Sequence, residues 1–343
     1  MEQHAGLDVS LEETSICIVT AEGGIVRETK VPTDPGAIIA VLTAAGIACK
    51  RVGLEAGPLS QWLYSELATA GLPVVCIETR HAKAVLSTQT NKTDRNDARG
   101  IAHMMRVGPY RPVHVKTLRS QQWRTLLTSR KFLVTKLRDV ENDLRGTLRN
   151  FGLRIGPVSA GKFANRVREL VDGQAMLAAI VEPMLVVRTT VMEQLDVLHR
   201  MVLDLVRDDP VCRRLMTAPG VGPVVALTFR ATVDVPARFG KSRAVGAHFG
   251  LTPRRYQSGQ TDWTGRISRC GDAMMRTALY EAAQVLMTRV TKGCSLKSWG
   301  LRIARHRGKE KAIVAVARRL SVILHRMWVD ASDFRWGSEP KTA

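Results

Sequence analysis

The first third of the chain alternates apolar and polar residues in short runs, the period-two signal of strands. His4–Val9 and Ser15–Thr20 read as strands, and Glu22-Gly23-Gly24 supplies a hairpin turn before Ile25–Val31 returns as a third. The period then lengthens. Pro35–Ala45 sets Ile38, Ile39 and Leu42 on one helical side, Arg51–Leu54 is a short strand running into Glu55, and Leu59–Ala70 is a helix carrying Trp62, Leu63 and Leu67. Pro73–Ile77 is apolar at nearly every position, as a strand buried inside a sheet is. His81–Leu86 suits a short helix. Thr93 offers an N-cap for a helix from Asp94 to about Met105, with Ala98, Ile101, Ala102 and Met105 as its apolar stripe.

This order, β-β-β-α-β-α-β-α, predicts three antiparallel strands followed by βαβ crossovers. The result is a mixed five-stranded sheet with helices on both faces, the ribonuclease H-like α/β arrangement. After Pro112 the pattern is helical. Residues 117–149 repeat apolar positions from Trp123 to Leu148, and residues 174–206 do the same from Met176 to Leu205, with Pro183 expected to interrupt or kink the second helix. The turn-rich Gly152–Gly161 separates them, so the middle reads as a long antiparallel helical hairpin or coiled coil. Residues 210–335 form a third, mostly α unit that includes an amphipathic helix from about Lys311 to Trp328. The expected division is 1–115, 116–209, 210–335 and a tail at 336–343.

Charge changes the picture more than composition does. At 343 residues the chain has room for two or three domains, and 45% hydrophobic with 24% charged residues is ordinary for a folded protein. Lys and Arg number 51 against 31 Asp and Glu, a net of +20. Residues 1–115 hold 11 basic and 12 acidic residues, whereas residues 116–343 hold 40 and 19, so the whole surplus lies in the second part. A surplus so large and so segregated points to a polyanion-binding surface; solvated Arg-rich helix faces are the plainer alternative. The six cysteines include no C-x-x-C pair, which suggests reduced thiols in a reducing cytoplasm. Met1-Glu2-Gln3-His4 does not open a signal peptide, and no run of about 18 uncharged apolar residues occurs, so no membrane partner is expected.

Four acidic residues stand out in the first unit. Asp8 ends the first strand and Glu55 the fourth; the proposed sheet makes those strands neighbours. Asp94 and Asp97 share one face of a helix start. Singly, Asp8 suits a turn, and Asp94 and Asp97 suit a helix N-terminus. Together, such carboxylates repel one another unless a cation joins them, and oxygen-only ligation points to Mg²⁺ or Mn²⁺ serving phosphoryl transfer. In the third unit Ala218-Pro-Gly-Val-Gly222 reads either as a helix-hairpin-helix turn whose amides hold a phosphate or as an ordinary tight turn. Gly240-Lys241-Ser242 resembles the tail of a P-loop, but Val235 stands where its first glycine belongs. Ser258 lies on a polar segment with Arg254 and Arg255 before it and Arg266 and Arg269 after it. It reads as a solvated loop serine, a phosphate contact, or a nucleophile aimed at a phosphate.

Gly6-Leu7-Asp8-Val9-Ser10, Gly53-Leu54-Glu55-Ala56-Gly57 and Asn91-Lys92-Thr93-Asp94-Arg95-Asn96-Asp97-Ala98 resemble the acidic motifs of the DEDD transposases of bacterial insertion sequences. That family includes the Piv-type invertases and the bridge-RNA-guided recombinases. Ala218–Gly222, Gly250–Pro253, Ser258-Gly259 and Ile267–Asp272 resemble its C-terminal transposase domain. The resemblance implies a RuvC-like domain with Asp8, Glu55, Asp94 and Asp97 binding Mg²⁺ (Mn²⁺ possible). It implies Ser258 as a nucleophile that forms a phosphoserine link to DNA. It also implies donor and target DNA and a structured bridge RNA as partners, a homo-oligomer sharing its active sites, and a cytoplasmic, nucleoid-associated location. Gly220, Gly222, Lys241, Arg254, Arg255, Arg266 and Arg269 are the candidate nucleic-acid contacts. Cys270 stands where the family commonly has a second basic residue. Two other readings keep part of the pattern: a junction-resolving nuclease that uses water, and a nucleic-acid binder without catalysis.

Overall fold

A computed structural model describes residues 2–87 and 91–337. The chain forms two compact units, Met1–Lys116 and Thr117–Ala343. Of the expected 336–343 tail, residues 338–343 lie outside the described residues.

The first unit is built on strands β1 (Gln3–Val9), β2 (Glu13–Thr20) and β3 (Ile25–Pro32), helix α1 (Pro35–Leu42), strand β4 (Cys49–Glu55), helix α2 (Ser60–Thr69), strand β5 (Val74–Ile77), and helices α3 (Thr79–Leu86) and α4 (Asp94–Val107). The five strands make one mixed sheet in the order β3-β2-β1-β4-β5, with β2 antiparallel to β1 and β3, and β4 parallel to β1 and β5. Strand alternation sends Leu7, Ile16, Ile18 and Leu54 to one face, where Ile38 and Leu42 of α1 and Leu63 and Leu67 of α2 cover them. The other face carries Cys17 and Val19 under Ala98 and Ala102 of α4. Two glycines let α4 lie close. A Cβ on Gly6 would stand 2.2 Å from the Ala98 carbonyl oxygen, and one on Gly53 would stand 2.7 Å from Met105 Cγ.

The second unit begins with α5 (Leu118–Arg149), α6 (Phe163–Leu170) and α7 (Ala175–Asp208). At 32 residues α5 spans about 48 Å. The start of α5 and the end of α7 share a core, Trp123 and Leu127 with Val202 and Val206, while their far ends meet around Leu144, Leu148, Val181 and Leu185. The pair is therefore antiparallel. Pro183 does not interrupt α7: Pro183 and Ala179 are both exposed, so water can satisfy the carbonyl that the proline leaves without a donor. Among the described helices, α7 alone is long and apolar enough by composition to cross a bilayer. Its Leu177, Val181 and Leu185 pack into the hairpin, and its buried Arg188 donates to Glu141 at 2.8 Å and to the Ala160 carbonyl.

The remainder comprises α8 (Pro210–Met216), α9 (Pro223–Val233), α10 (Arg243–His248), strands β6 (Pro253–Ser258) and β7 (Thr261–Ile267), and helices α11 (Ala273–Thr288), α12 (Ser295–Arg307) and α13 (Lys309–Val329). Helix α9 is buried at every position from Ala226 to Val233 and forms the axis of this core. Asp234, just past it, accepts hydrogen bonds from the Thr117 amide, the Thr117 hydroxyl and the Ser120 hydroxyl, fixing the start of α5.

Candidate active site

Register and packing bring the four acids of the first unit to one end of its sheet. Leu7 of β1 pairs with Leu54 of β4, so Asp8 and Glu55, the next residues, stand side by side at the strand ends. Asp8 shares its face with Gly6, and Glu55 shares its face with Gly53. Both glycines lie under α4, so the first turn of α4, with Asp94 and Asp97, comes over the same end. Thr93 caps that turn through a 3.2 Å bond from the Asn96 amide.

The electrostatics report this proximity. Burial first, then the charges of Asp97, Asp94 and Glu55, push the Asp8 carboxyl up to about 6. Burial raises Glu55 as well, with the Thr79 hydroxyl opposing and Asp97 adding to the rise. Asp94 Oδ2 lies 3.7 Å from Lys30 Nζ on β3. Among the described residues no three Asp, Glu, His or Cys side chains lie close enough together to hold a metal ion between them. Mg²⁺ does not need three, since it retains waters and takes one or two carboxylates. The all-carboxylate donor set and the raised Asp8 fit such an ion. Beside these acids a cleft of ≈ 560 Å³ opens between Val9–Glu13 and Gly57–Ser60, with Glu55 on its wall.

Pattern reading did not find the group that positions α4. Glu28 on β3 accepts from Arg95 and Arg99, one turn apart on α4, with 2.7 Å to Arg95 Nε and 2.8 Å to Arg99 Nη2. The Arg99 hydrogen bond, then that of Arg95, holds the Glu28 carboxyl down to about 2. Glu28 thus ties the helix bearing Asp94 and Asp97 to the sheet bearing Asp8. Arg95 and Arg99 at i and i+4 were the visible signal; the distant Glu28 was not.

The second unit places Ser258 at the exposed tip of a two-stranded ribbon. Ser258 pairs with Thr261 across Gly259-Gln260, and Gly259 takes the turn at φ +55°. The polar segment around Ser258 is therefore a β-ribbon rather than an irregular loop. Its base is tightly joined: Cβ atoms on Gly250 and Gly271 would stand 2.1 Å from the Cys270 and His248 carbonyl oxygens. Arg276 donates to the carbonyls of Cys270 and Gly271 at 2.9 and 3.0 Å.

Among the arginines, Arg255 pairs with Asp262 at 2.6 Å and Arg254 donates to the Ser268 carbonyl, while Arg266 and Arg269 are exposed. Exposed Lys241 precedes α10. His248, ten residues before Ser258 and its nearest histidine in sequence, accepts from Arg238 at 3.2 Å and packs on Phe239. The close approach at Gly220 is to α11, where its Cβ would stand 2.2 Å from the Ala282 carbonyl oxygen, which accounts for the tight turn; Gly222, before α9, faces open space.

Residues 212–297, which hold the ribbon and Ser258, match the family model described as Transposase IS116/IS110/IS902 family. Residues 5–152, which hold all four acids, match a second model, described as Transposase, for the DEDD type. The chain is 27% identical over 340 residues to the transposase for insertion sequence element IS1111A of Coxiella burnetii, covering 97% of this chain and 91% of that one. It is 26% identical over 279 residues to a probable family 20 transposase of Pseudomonas aeruginosa, covering 80% of this chain and 82% of the other.

Proposed function

The chain belongs to the IS116/IS110/IS902 family of transposases, and from that footing we propose that it cuts and rejoins DNA strands through a phosphoserine intermediate on Ser258, served by the acids at the end of a RuvC-like sheet. The observation that carries this reading is the gathering of Asp8, Glu55, Asp94 and Asp97 at one sheet end, with Asp8 pushed up to about 6. The strand order β3-β2-β1-β4-β5 supports the ribonuclease H-like assignment. Asp8, Glu55, Asp94 and Asp97 would hold Mg²⁺ or Mn²⁺, which when bound supplies Lewis-acid stabilisation of phosphoryl charge.

The chain's own groups do the rest. Ser258 Oγ forms a bond to phosphorus as the P–O bond to one deoxyribose oxygen breaks. The serine proton is lost and the departing oxygen gains one, leaving a free hydroxyl. Reversal onto another strand's hydroxyl restores the serine. Arg266 and Arg269 hold phosphate charge near the ribbon. The basic excess beyond residue 115 suits donor and target DNA and a structured bridge RNA. The exposed stripe on α7, with Ile180 49%, Val187 47% and Met201 48% accessible at seven- and fourteen-residue spacing, suits self-association that lends one copy's acids to another copy's serine. Such a protein works in the cytoplasm, on the nucleoid.

Strand cleavage of DNA carrying the element's ends tests the acidic site. Cleavage should require Mg²⁺ and vanish in Asp8→Asn, Glu55→Gln and Asp97→Asn while nucleic-acid binding persists. Full cleavage in chelator, or by any of the three variants at limiting Mg²⁺, would overturn it.

A further inference from the structure

The ribbon that ends at Ser258 carries two aromatic rings that the reaction above leaves without a task. Tyr256 and Trp263 pair across β6 and β7 with their rings stacked, centroids 5.9 Å apart and planes 25° from parallel. They are 53% and 54% exposed on a ribbon whose first strand is exposed at every position. Strand alternation puts Tyr256 and Ser258 on the same face as Thr261, Trp263 and Gly265, and Arg255 with Asp262 on the other. Gly265 makes the indole's resting place: a Cβ there would stand 2.9 Å from Trp263 Cζ3, so the ring lies along its strand.

We propose that the Tyr256–Trp263 pair is a stacking platform for an unpaired nucleobase of the DNA strand whose phosphate Ser258 attacks. The proposal rests on Ser258 as the nucleophile. Aromatic faces left half in water on a basic surface are how single-stranded nucleic acid is gripped without regard to sequence, because every base has a π-face. Two residues of strand rise separate Tyr256 from Ser258 by about 7 Å, the scale of one nucleotide. The basic surplus of residues 116–343, 40 Lys and Arg against 19 Asp and Glu, supplies the positive field for the backbone beside that base. A base held on the platform fixes which phosphate lies at the serine hydroxyl, which makes Tyr256 and Trp263 positioning residues. It also favours a strand already opened, since a base paired in duplex must first be unstacked.

The test uses the full chain with Ser258→Ala throughout, so that binding is read without chemistry. The probe is a single-stranded DNA carrying 2-aminopurine, compared with a fully paired duplex and an RNA strand of the same sequence. Tyr256→Thr with Trp263→Val removes both rings and puts strand-favouring β-branched residues in their place. Single-strand affinity should fall about tenfold and 2-aminopurine quenching should disappear, while duplex affinity stays within about twofold. Gly265→Ala, which displaces the indole, should weaken the single strand in the same direction, and Tyr256→Phe should not. Unchanged single-strand binding in the double variant would overturn the proposal. So would equal losses for single strand and duplex with a lowered melting temperature, the mark of a merely structural pair, or a loss confined to RNA. Because Ser258 is absent from the assay, failure here leaves the nucleophile assignment standing, and failure of that assignment would appear as a missing adduct instead.

Discussion

Replacing Asp8 by Asn in chelator-treated protein should stabilise the N-terminal unit at neutral pH and much less in acid. Burial, then Asp97, Asp94 and Glu55, raises the Asp8 carboxyl from 3.8 to about 6. The folded chain therefore holds this proton more tightly than the unfolded chain does. Below pH 3.8 both states are protonated and no penalty exists. Between 3.8 and about 6 stability falls as pH rises, and above about 6 the full penalty persists. A shift of about two units corresponds to ~3 kcal/mol at 1.36 kcal/mol per unit. Asp8 is partly solvated, so screening trims this to ~1–2 kcal/mol. Asparagine cannot ionise and escapes the penalty. For a unit of this size Tm should rise by about 4–10 °C at pH 7.5, and by about a third as much at pH 4.5. Scanning calorimetry in EDTA at the two pH values reads both numbers. Mg²⁺ should raise wild-type Tm, by binding the folded state, more than it raises that of Asp8→Asn. An unchanged or lowered Tm for Asp8→Asn at pH 7.5 would refute the repulsion reasoning.

Gly6→Ala should abolish the N-terminal unit's melting transition, costing at least ~3 kcal/mol, because the clash at 2.2 Å is with α4 backbone that cannot rotate away. Glu28→Gln should destabilise the same unit by ~1–3 kcal/mol and raise the Mg²⁺ concentration for half-maximal cleavage, since Arg95 and Arg99 lose the carboxylate that anchors α4; a metal titration of cleavage reads the second effect. Mixing Ser258→Ala with Asp97→Asn, each inactive alone, should restore measurable strand exchange if active sites are shared between copies, and a recombination assay on the mixture decides it.

Much of the first unit was legible because its signals are local. The Glu22-Gly23-Gly24 turn, the period-two strands and the Thr93 cap each act within a few residues, and the crossover order then dictates that β1 and β4 adjoin. That adjacency puts Asp8 and Glu55 together from the sequence alone. What stayed hidden depends on distant partners. Glu28 lies 67 residues from Arg95, and nothing near either residue marks the pair. The β6–β7 ribbon was missed because its first strand is wholly exposed and polar, so it lacks the hydrophobic alternation that betrays a strand. Pro183 lies on an exposed face of α7, and the helix runs on past it without interruption.

The most direct measurement is the covalent state of Ser258 after reaction. Full-length protein is incubated with Mg²⁺, the element's structured RNA and DNA carrying the element's ends, then denatured, digested and mapped by mass spectrometry. The phosphoserine mechanism predicts a nucleotide adduct on the peptide bearing Ser258, formed by the wild type and absent from both Ser258→Ala and Asp8→Asn. Cleaved DNA with free ends and no adduct on any serine, or an adduct mapped to Ser242 or Ser268, would contradict it.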